Sequence, residues 1–216
     1  LGTMGLADAL IKLKIRYGSP EAIAWCDDIY RMIRDEAYRM SMEIAKEKGS
    51  FPAFESEKFM QGKFIMRLPQ DLQEEIRKYG VRNGVLLTQA PTGTTSILAG
   101  VSSGIEPVYD FAFIRKDRLG EHIVYHPLFE EWKAKNPDAP DGESERPAYF
   151  VTAKTLTPLE HVKMQAVAQK YTDSSISKTV NAPNDHSISD VKELYMQAYK
   201  MVFKGVTYYR DGSRYV

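Results

Sequence analysis

Only one cysteine occurs in this chain, neither sign of charge is in excess, and long apolar runs are missing. A single cysteine excludes an intramolecular disulfide and argues against a cysteine-based metal centre. The 29 basic and 29 acidic residues balance, so the composition does not favour general nucleic-acid binding. No apolar run approaches the roughly 20 residues of a membrane-spanning helix, and the start shows no signal-peptide pattern. We therefore expect a cytoplasmic protein whose partners include neither membrane nor nucleic acid.

Two observations argue against metal or thiol chemistry. Cys26 lies within a long helical pattern and is followed by Asp27 and Asp28. Nearby negative charge raises the pKa of a thiol, so we interpret Cys26 as structural rather than reactive. His122 and His126 have the spacing of a helical metal site but lie in a strand-like run. We therefore predict no metal site.

The most informative segment is QAPTGTTS, from Gln89 to Ser96. Pro91 and Gly93 favour a tight turn between an apolar run and a helix-like run, and Gly93 can adopt a positive φ. The start of a helix presents free N–H groups, and its dipole favours an anion there. The alternative is an ordinary threonine N-cap, and the local pattern leaves both readings open. No lysine follows the glycine, so the segment is not a Walker A loop.

Four segments, in the same order, resemble the large catalytic chain of ribonucleotide reductase. APTGTTSILAGVSSGIEP, residues 90–107, resembles the substrate-phosphate loop of that family. Residues 173–183, DSSISKTVNAP, and 204–214, KGVTYYRDGSR, resemble later segments, and residues 1–22 resemble the helical stretch upstream of the loop. The sequences of these segments resemble the adenosylcobalamin-dependent class more than the oxygen-dependent class. The resemblance spans nearly the whole chain.

The resemblance implies a site for the phosphates of a ribonucleotide substrate. The expected binding residues are consecutive: Thr92, Gly93, Thr94, Thr95 and Ser96. Backbone N–H groups from Gly93 to Ser96 would hold the phosphate oxygens, and threonine hydroxyls would assist. The expected candidates for the active-site wall are Ala90, Pro91 and Tyr209.

The tyrosine pair Tyr208-Tyr209 resembles the paired tyrosines that relay a radical in the oxygen-dependent class. The closer resemblance to the cobalamin class argues against a relay, because the radical there arises at the cofactor. Tyrosines also suit a strand for packing reasons. Arg210 and Arg214 could reach a phosphate or a carboxylate, although arginines at a strand end are common.

The cysteine count limits what the chain can do within that family. Complete reductases need a radical-forming cysteine and a redox-active pair, and Cys26 matches none of those contexts. We therefore expect no catalytic residue in this chain, and an isolated chain without activity. The resemblance implies adenosylcobalamin in the complete enzyme, and the remainder of the reductase chain or a larger split subunit as partner. Leu1 is not an initiator, which favours a fragment boundary.

Two alternative functions stay open on the sequence. One is a non-catalytic nucleotide- or phosphate-binding module. The other is a helical interaction protein in which the helix caps are only caps.

Hydrophobic periodicity predicts an α/β fold of long helices and a few short strands. The predicted helices cover residues 4–16 with Thr3 as N-cap, 20–48, 70–79, 96–100, 128–135, 157–170 and 189–204. Strand candidates at 85–88, 176–180 and 206–209 are separated by helices, which favours a parallel arrangement. Residues 111–114 and 122–125 predict a β-hairpin, and 136–147 a surface loop.

These elements resemble the C-terminal part of the family's α/β barrel, with residues 1–216 as one incomplete part of it. A partial barrel exposes a strand edge and an apolar inner face. We therefore expect a partner chain, the missing remainder of the chain, or self-association into a homo-oligomer.

Two further residues have alternative interpretations. Glu106, in the GIEP motif, is either a general base or a carboxylate that pairs with a backbone N–H or an arginine to fix the turn. We favour the second, because the sequence places no second acid or base beside it. His161 lies on an amphipathic helical pattern, and we expect it at the surface or the edge of the core.

Overall fold

Helices dominate the computed structural model, which describes residues 1–117, 120–139 and 145–213. The helices are α1 Leu6–Lys12, α2 Pro20–Lys48, α3 Ser56–Met60, α4 Gln70–Tyr79, α5 Gly93–Ala99, α6 Pro127–Lys135, α7 Pro158–Lys170 and α8 Ile188–Lys200, with a 3-10 turn at Ile65–Arg67. The strands are β1 Ala112–Asp117, β2 Gly120–Tyr125, β3 Thr179–Ala182 and β4 Thr207–Arg210. The predicted α/β class is confirmed.

The long helix α2 begins and ends where the sequence predicts. The Ser19 side chain accepts a hydrogen bond from the N–H of Ala22, and Pro20 occupies the first helical position. Gly49 ends the helix with a φ of 77°, a conformation that favours glycine. The 29-residue helix forms the spine against which α4 and α7 pack.

The first helix is shorter than predicted, and Thr3 does not cap it. The N-cap of α1 is Gly5, and the chain turns out of the helix before Lys14, which has a φ of 59°. The Thr3 hydroxyl instead lies 2.9 Å from the side chains of both Gln89 and Tyr30. Tertiary hydrogen bonds thus tie the start of the chain to the segment that precedes α5.

The predicted parallel arrangement is confirmed for one strand pair. β3 and β4 pair in parallel with Val180 opposite Tyr208, and α8 forms the connection between them. The first of these strands lies at residues 179–182 rather than 176–180. The helix α8 ends at Lys200, four residues before the predicted end.

The predicted strand at 85–88 is wrong. Residues 85–88 belong to no strand, and the isolated parallel bridge between Gln89 and Ile176 lies just beyond them. The carboxylate of Asp173 accepts hydrogen bonds from the N–H groups of Leu86 and Leu87, both at 2.9 Å. A side chain thus takes the donors that a strand ladder would use.

The remaining local predictions largely agree with the structure. β1 and β2 form the predicted antiparallel hairpin, with Ala112 opposite Tyr125. Thr157 caps α7 in a reciprocal capping box with Glu160. The centre of the predicted loop at 136–147, residues 140–144, lies outside the described residues.

The main core lies where α1, α6 and α7 meet one face of α2, through residues such as Leu10, Phe129 and Ala168. Cys26 belongs to this core and has no exposed surface. Burial raises the pKa of its thiol to about 12. The structural interpretation of Cys26 is confirmed, but the cause is burial rather than the neighbouring aspartates.

Candidate functional site

The start of α5 is set by an unusual backbone conformation at Thr92. The sequence allows a positive φ at Gly93, but in the structure Gly93 is helical and Thr92 is the left-handed residue, with φ 52° and ψ 26°. A β-branched residue in this region is strained by about 1–3 kcal/mol. The N–H of Gly104 donates to the Thr92 hydroxyl at 2.7 Å, which helps to hold the conformation.

Three backbone donors are free at this helix start. The N–H groups of Gly93, Thr94 and Thr95 have no acceptor among the described residues, and all three residues are exposed. The expected fourth donor is wrong, because the N–H of the buried Ser96 donates to the carbonyl of Thr92 at 2.8 Å. The donor set for an anion is therefore 93–95 rather than 93–96.

The threonine hydroxyls are mostly engaged within the loop. Thr92 accepts from Gly104, and the Thr95 hydroxyl donates to the Thr92 carbonyl at 3.3 Å. The Ser96 hydroxyl lies 2.9 Å from that of Ser103. Within the described part of the chain, only the Thr94 hydroxyl of the expected set keeps both its donor and acceptor capacity.

The loop after α5 returns to the helix start through a glycine. Gly104 has a φ of 48°, and a Cβ on it would lie 2.9 Å from the carbonyl oxygen of Ala90. No other residue type fits this close approach without movement of the backbone. The glycine of the SSGIEP run, Gly104, therefore closes the loop against the turn.

A cavity of about 560 Å³ lies beside α5, with Ser96, Ser103, Glu106, Thr179 and Asn181 in its wall. A smaller cavity of about 160 Å³ shares Asn181 with it and contains Tyr209. Tyr209 therefore lies near the expected site, opposite Asn181 in the β3–β4 pair. Ala90 and Pro91 are exposed and line neither cavity in the described structure, so the structure gives no support for them as wall residues.

The neighbours of Tyr209 on and after β4 are Tyr208, Arg210 and Arg214. The Tyr208 hydroxyl lies 2.8 Å from Nδ1 of His186, so it has a local partner. Arg210 is exposed, and Arg214 lies outside the described residues.

A buried charged cluster backs the larger cavity. Lys178 is 1% exposed, and its Nζ lies 3.3 Å from Oε2 of Glu106 and 2.8 Å from Nδ1 of His161. Oε1 of Glu106 accepts from the N–H of Thr179 at 2.6 Å. The turn-fixing interpretation of Glu106 is confirmed, with a lysine in place of the suggested arginine.

The sequence reasoning missed two members of this cluster. His161 is fully buried rather than peripheral, and its Nε2 lies 3.0 Å from the carbonyl oxygen of Ala153. Burial, together with the positive charge of Lys178, lowers the pKa of His161 to about 3. The one available signal for Lys178 is its place at the centre of the predicted strand 176–180.

A cluster around Asp8 ties the loop after α5 to the first helix. Nε2 of His126 lies 3.2 Å from Oδ1 of Asp8, and the N–H of Ser102 donates to Oδ2 at 2.5 Å. Burial acts to raise the pKa of Asp8, but the hydrogen bonds from His126 and Ser102 outweigh it and lower that pKa. His126 is thus a structural partner, and the side chain of His122 lies outside the described residues.

The described residues form neither a metal-binding cluster nor a helix that could span a membrane. They contain no group of three or more histidines, cysteines, aspartates or glutamates placed to hold a metal ion. None of their helices combines the length and the hydropathy that a bilayer crossing requires.

Comparison with known proteins identifies one family. Residues 1–209 match the family described as "Ribonucleotide reductase, barrel domain". The whole chain aligns with a vitamin B12-dependent ribonucleoside-diphosphate reductase of Thermoplasma acidophilum at 37% identity, and the alignment covers 28% of that protein. The Mycobacterium tuberculosis protein of the same name aligns with 99% of the chain at 34% identity, over 31% of its own length. A ribonucleoside-diphosphate reductase subunit alpha of Treponema pallidum is 27% identical over 99% of the chain and 24% of its own length. The chain spans less than a third of each of these relatives.

Proposed function

Because the chain belongs to the ribonucleotide reductase barrel-domain family, we propose that it is the C-terminal part of an adenosylcobalamin-dependent ribonucleotide reductase. It is either a fragment or the smaller subunit of a split enzyme, and residues 1–216 form an incomplete part of the barrel. Its role in the complete enzyme is to bind the substrate phosphates at the start of α5. The complete enzyme reduces ribonucleotides to deoxyribonucleotides, which supply DNA synthesis in the cytoplasm.

The observation that carries this proposal is the set of free N–H groups at Gly93, Thr94 and Thr95. They lie on one exposed turn, at the positive end of the helix dipole. A phosphate accepts several such donors at once, and the Thr94 hydroxyl adds one more. The names of the relatives specify ribonucleoside diphosphates, which supports a diphosphate as the substrate.

Phosphate binding contributes to the reaction by positioning. A radical must meet the ribose at a short, aligned distance, and a held phosphate fixes where the ribose lies. The left-handed Thr92 and its bond to Gly104 fix the direction of the helix start. The exposed donors are therefore preorganised rather than assembled around the substrate.

The chemistry itself belongs to the rest of the enzyme. Cys26 is enclosed in the core with a raised thiol pKa, so it is neither the radical-forming cysteine nor a reducing one. We therefore assign the three essential cysteines to the part of the reductase outside this chain. The isolated chain is expected to be inactive.

The cofactor, adenosylcobalamin, would supply the radical in the complete enzyme. Each of the described histidines has a structural partner: His161 bonds Lys178, His126 pairs with Asp8 and His186 bonds Tyr208. We assign the cofactor to the remainder of the reductase on this ground. No step in this chain depends on a contact with it.

The surface around the site supports a covering partner. Ile97 and Leu98 on α5 are 79% and 84% exposed, and Val85 is 67% exposed. Apolar side chains this exposed favour contact with another protein surface. We propose that the remainder of the reductase, as the same chain or a larger subunit, covers them, with self-association as the alternative.

A segment exchange tests the proposed function. This chain replaces the matching segment of the Thermoplasma acidophilum reductase, and reduction of a ribonucleoside diphosphate is assayed with adenosylcobalamin and a dithiol. We expect activity from the chimera and none from the isolated chain. Turnover by the isolated chain that survives repurification and Cys26→Ser would contradict the proposal.

If the chimera does not fold, the parts can be tested separately. The isolated chain is then mixed with the upstream part of the relative, and activity is assayed again. A well-folded mixture or chimera without any activity counts against the proposal.

A further inference from the structure

The ammonium of Lys178 is enclosed and fully bonded. An ammonium has three N–H donors, and three acceptors surround this one: Glu106 Oε2 at 3.3 Å, His161 Nδ1 at 2.8 Å and the carbonyl of Thr179 at 3.0 Å. A buried charge is costly unless it is paired and hydrogen-bonded. Burial lowers the pKa of Lys178, the Glu106 carboxylate acts in the opposite direction, and the three acceptors match the three donors of an ammonium.

The role of His161 in this site is fixed by its second nitrogen. Nε2 faces the carbonyl oxygen of Ala153 at 3.0 Å, and a carbonyl can only accept, so Nε2 carries the hydrogen. Nδ1 is then a lone pair that accepts from Lys178. The histidine is neutral, and Lys178 is the cation of the cluster.

Glu106 connects this cation to the turn that follows α5. Its carboxylate bonds Lys178 and the N–H of Thr179, which belongs to β3. Its own N–H donates to the carbonyl of Ser103 at 2.9 Å and closes the turn from 103 to 106. The orientation of this turn is therefore set by a cation that lies on the other side of the carboxylate.

The same turn holds both ends of the donor segment. The N–H of Gly104 donates to the Thr92 hydroxyl at 2.7 Å, and the Ser103 hydroxyl lies 2.9 Å from that of Ser96. Thr92 and Ser96 flank the three free N–H groups of residues 93–95. A continuous chain of hydrogen bonds thus runs from the buried lysine to the helix start.

We propose that Lys178 is a positioning residue for the phosphate site, which acts through Glu106 and the turn 103–106 to hold Thr92 in its left-handed conformation. The inference rests on the proposed phosphate function of α5. Lys178 touches neither the phosphate nor the free donors. Without its charge, Glu106 loses its cation, and its carboxylate is held only by the N–H of Thr179.

Lys178→Met tests this proposal, because methionine has a similar length but neither charge nor donor. The amide resonances of residues 93–95 are followed during titration with inorganic phosphate. We expect phosphate affinity at least tenfold weaker than in the wild type, and shifted Thr92 and Gly104 resonances before any phosphate is added. The wild type should also show a slowly exchanging ammonium ¹⁵N signal for Lys178, which an exposed lysine would not.

Leu72→Ala is the matched control. Leu72 is fully buried between α4 and α2, and it belongs to a different core cluster from the residues around the phosphate site. It should lose stability to a comparable extent while phosphate affinity and the Gly104 resonance stay as in the wild type. A loss of affinity that merely follows stability would appear in both variants and would overturn the proposal.

The outcomes separate this inference from the function it rests on. If the wild type binds phosphate at 93–95 and Lys178→Met binds it equally well, the positioning role is wrong and the site stands. If the wild type shows no phosphate shifts, the proposed site is wrong, and the Thr92 and Gly104 resonances alone decide: unchanged positions in Lys178→Met overturn the positioning role. If Lys178→Met does not fold, His161→Phe takes its place, because it removes one acceptor and keeps an aromatic ring. The same phosphate titration and the same resonances of Thr92 and Gly104 then decide.

Discussion

The ammonium of Lys178 lies 3.3 Å from the carboxylate of Glu106, although 72 residues separate the two along the chain. The pair is unequal, because the Lys178 side chain is 0% exposed and that of Glu106 is 27% exposed. A charge left without its partner is therefore harder to hydrate at Lys178 than at Glu106.

This asymmetry predicts different costs for the two single substitutions. Glu106→Gln leaves a buried cation without its anion, which should cost about 3–5 kcal/mol of unfolding free energy. Lys178→Met should cost less, because water can reach the Glu106 carboxylate. Urea unfolding of both variants measures the difference.

The double variant Lys178→Met/Glu106→Gln completes the cycle. Because neither charge remains, it should be more stable than Glu106→Gln alone. Strictly additive losses would contradict a direct interaction between the two side chains.

The buried His161 predicts a pH dependence of stability. Its pKa falls from 6.5 in the unfolded chain to about 3 in the folded chain, so the unfolded state takes up a proton first as the pH falls. Stability from this group is present above pH 6.5 and is lost below it, at up to about 1.4 kcal/mol per pH unit.

His161→Gln isolates this contribution, because glutamine keeps a donor and an acceptor but does not titrate. Urea unfolding at pH 7, 6, 5 and 4 should show a shallower loss for the variant than for the wild type. The carboxylates common to both proteins cancel in the comparison. Parallel curves would mean that His161 is not held neutral by the fold.

Substitution of Gly104 should cause a steric clash in addition to the strain of a left-handed backbone, and a control variant separates the two effects. Gly104→Ala places a Cβ 2.9 Å from the carbonyl oxygen of Ala90 and also strains a left-handed residue. Gly100→Ala is the control, because Gly100 has a φ of 66° but nothing within 4 Å of the added Cβ. The control should lose about 1 kcal/mol, and Gly104→Ala more than that.

Thermal unfolding measures both losses, and a phosphate titration measures the effect on the site. Only Gly104→Ala should weaken phosphate binding, because the added Cβ displaces the backbone N–H that holds Thr92. Equal effects of the two substitutions on binding would show that the close approach to Ala90 has no role at the site.

Cys26 should be inert in the folded protein. Its thiol is fully buried, and its pKa of about 12 leaves almost no thiolate at neutral pH. A thiol reagent at pH 7.5 should label the urea-unfolded chain within minutes and the native chain only at the rate of unfolding. Rapid labelling of native protein would contradict the core position.

Features that depend on neighbouring residues could be predicted from the sequence. Ser19-Pro20 and Gly49 bound α2 through local capping, and Thr157 does the same at α7. The strand at 85–88 could not be rejected in this way, because the acceptor of its N–H groups is Asp173, 86 residues further along the chain from Leu87. Tertiary contacts override the local pattern there.

The same limit applies to the candidate site. A helix start with free donors near Gly93 follows from local chemistry, and it was predictable. The left-handed Thr92 depends on Gly104, 12 residues away, and Lys178 reaches Glu106 and His161 only through the fold. Sequence reasoning therefore located the donors and missed the network that holds them.

Titration of the ¹⁵N-labelled chain with phosphate and a ribonucleoside diphosphate tests the central claim most directly. The amides of Gly93, Thr94 and Thr95 should shift together and saturate, whereas the starts of α2 and α7, capped by Ser19 and Thr157, should not. Thr94→Pro removes one donor in the first helical turn, where proline is tolerated, and should weaken binding about 10- to 100-fold, because a hydrogen bond to a charged group contributes about 1.5–3 kcal/mol. Thr94→Ala removes only the hydroxyl and should cost about 1 kcal/mol. If Thr94→Pro folds normally and binds phosphate as tightly as the wild type, the start of α5 is a plain helix terminus and the assigned site is wrong.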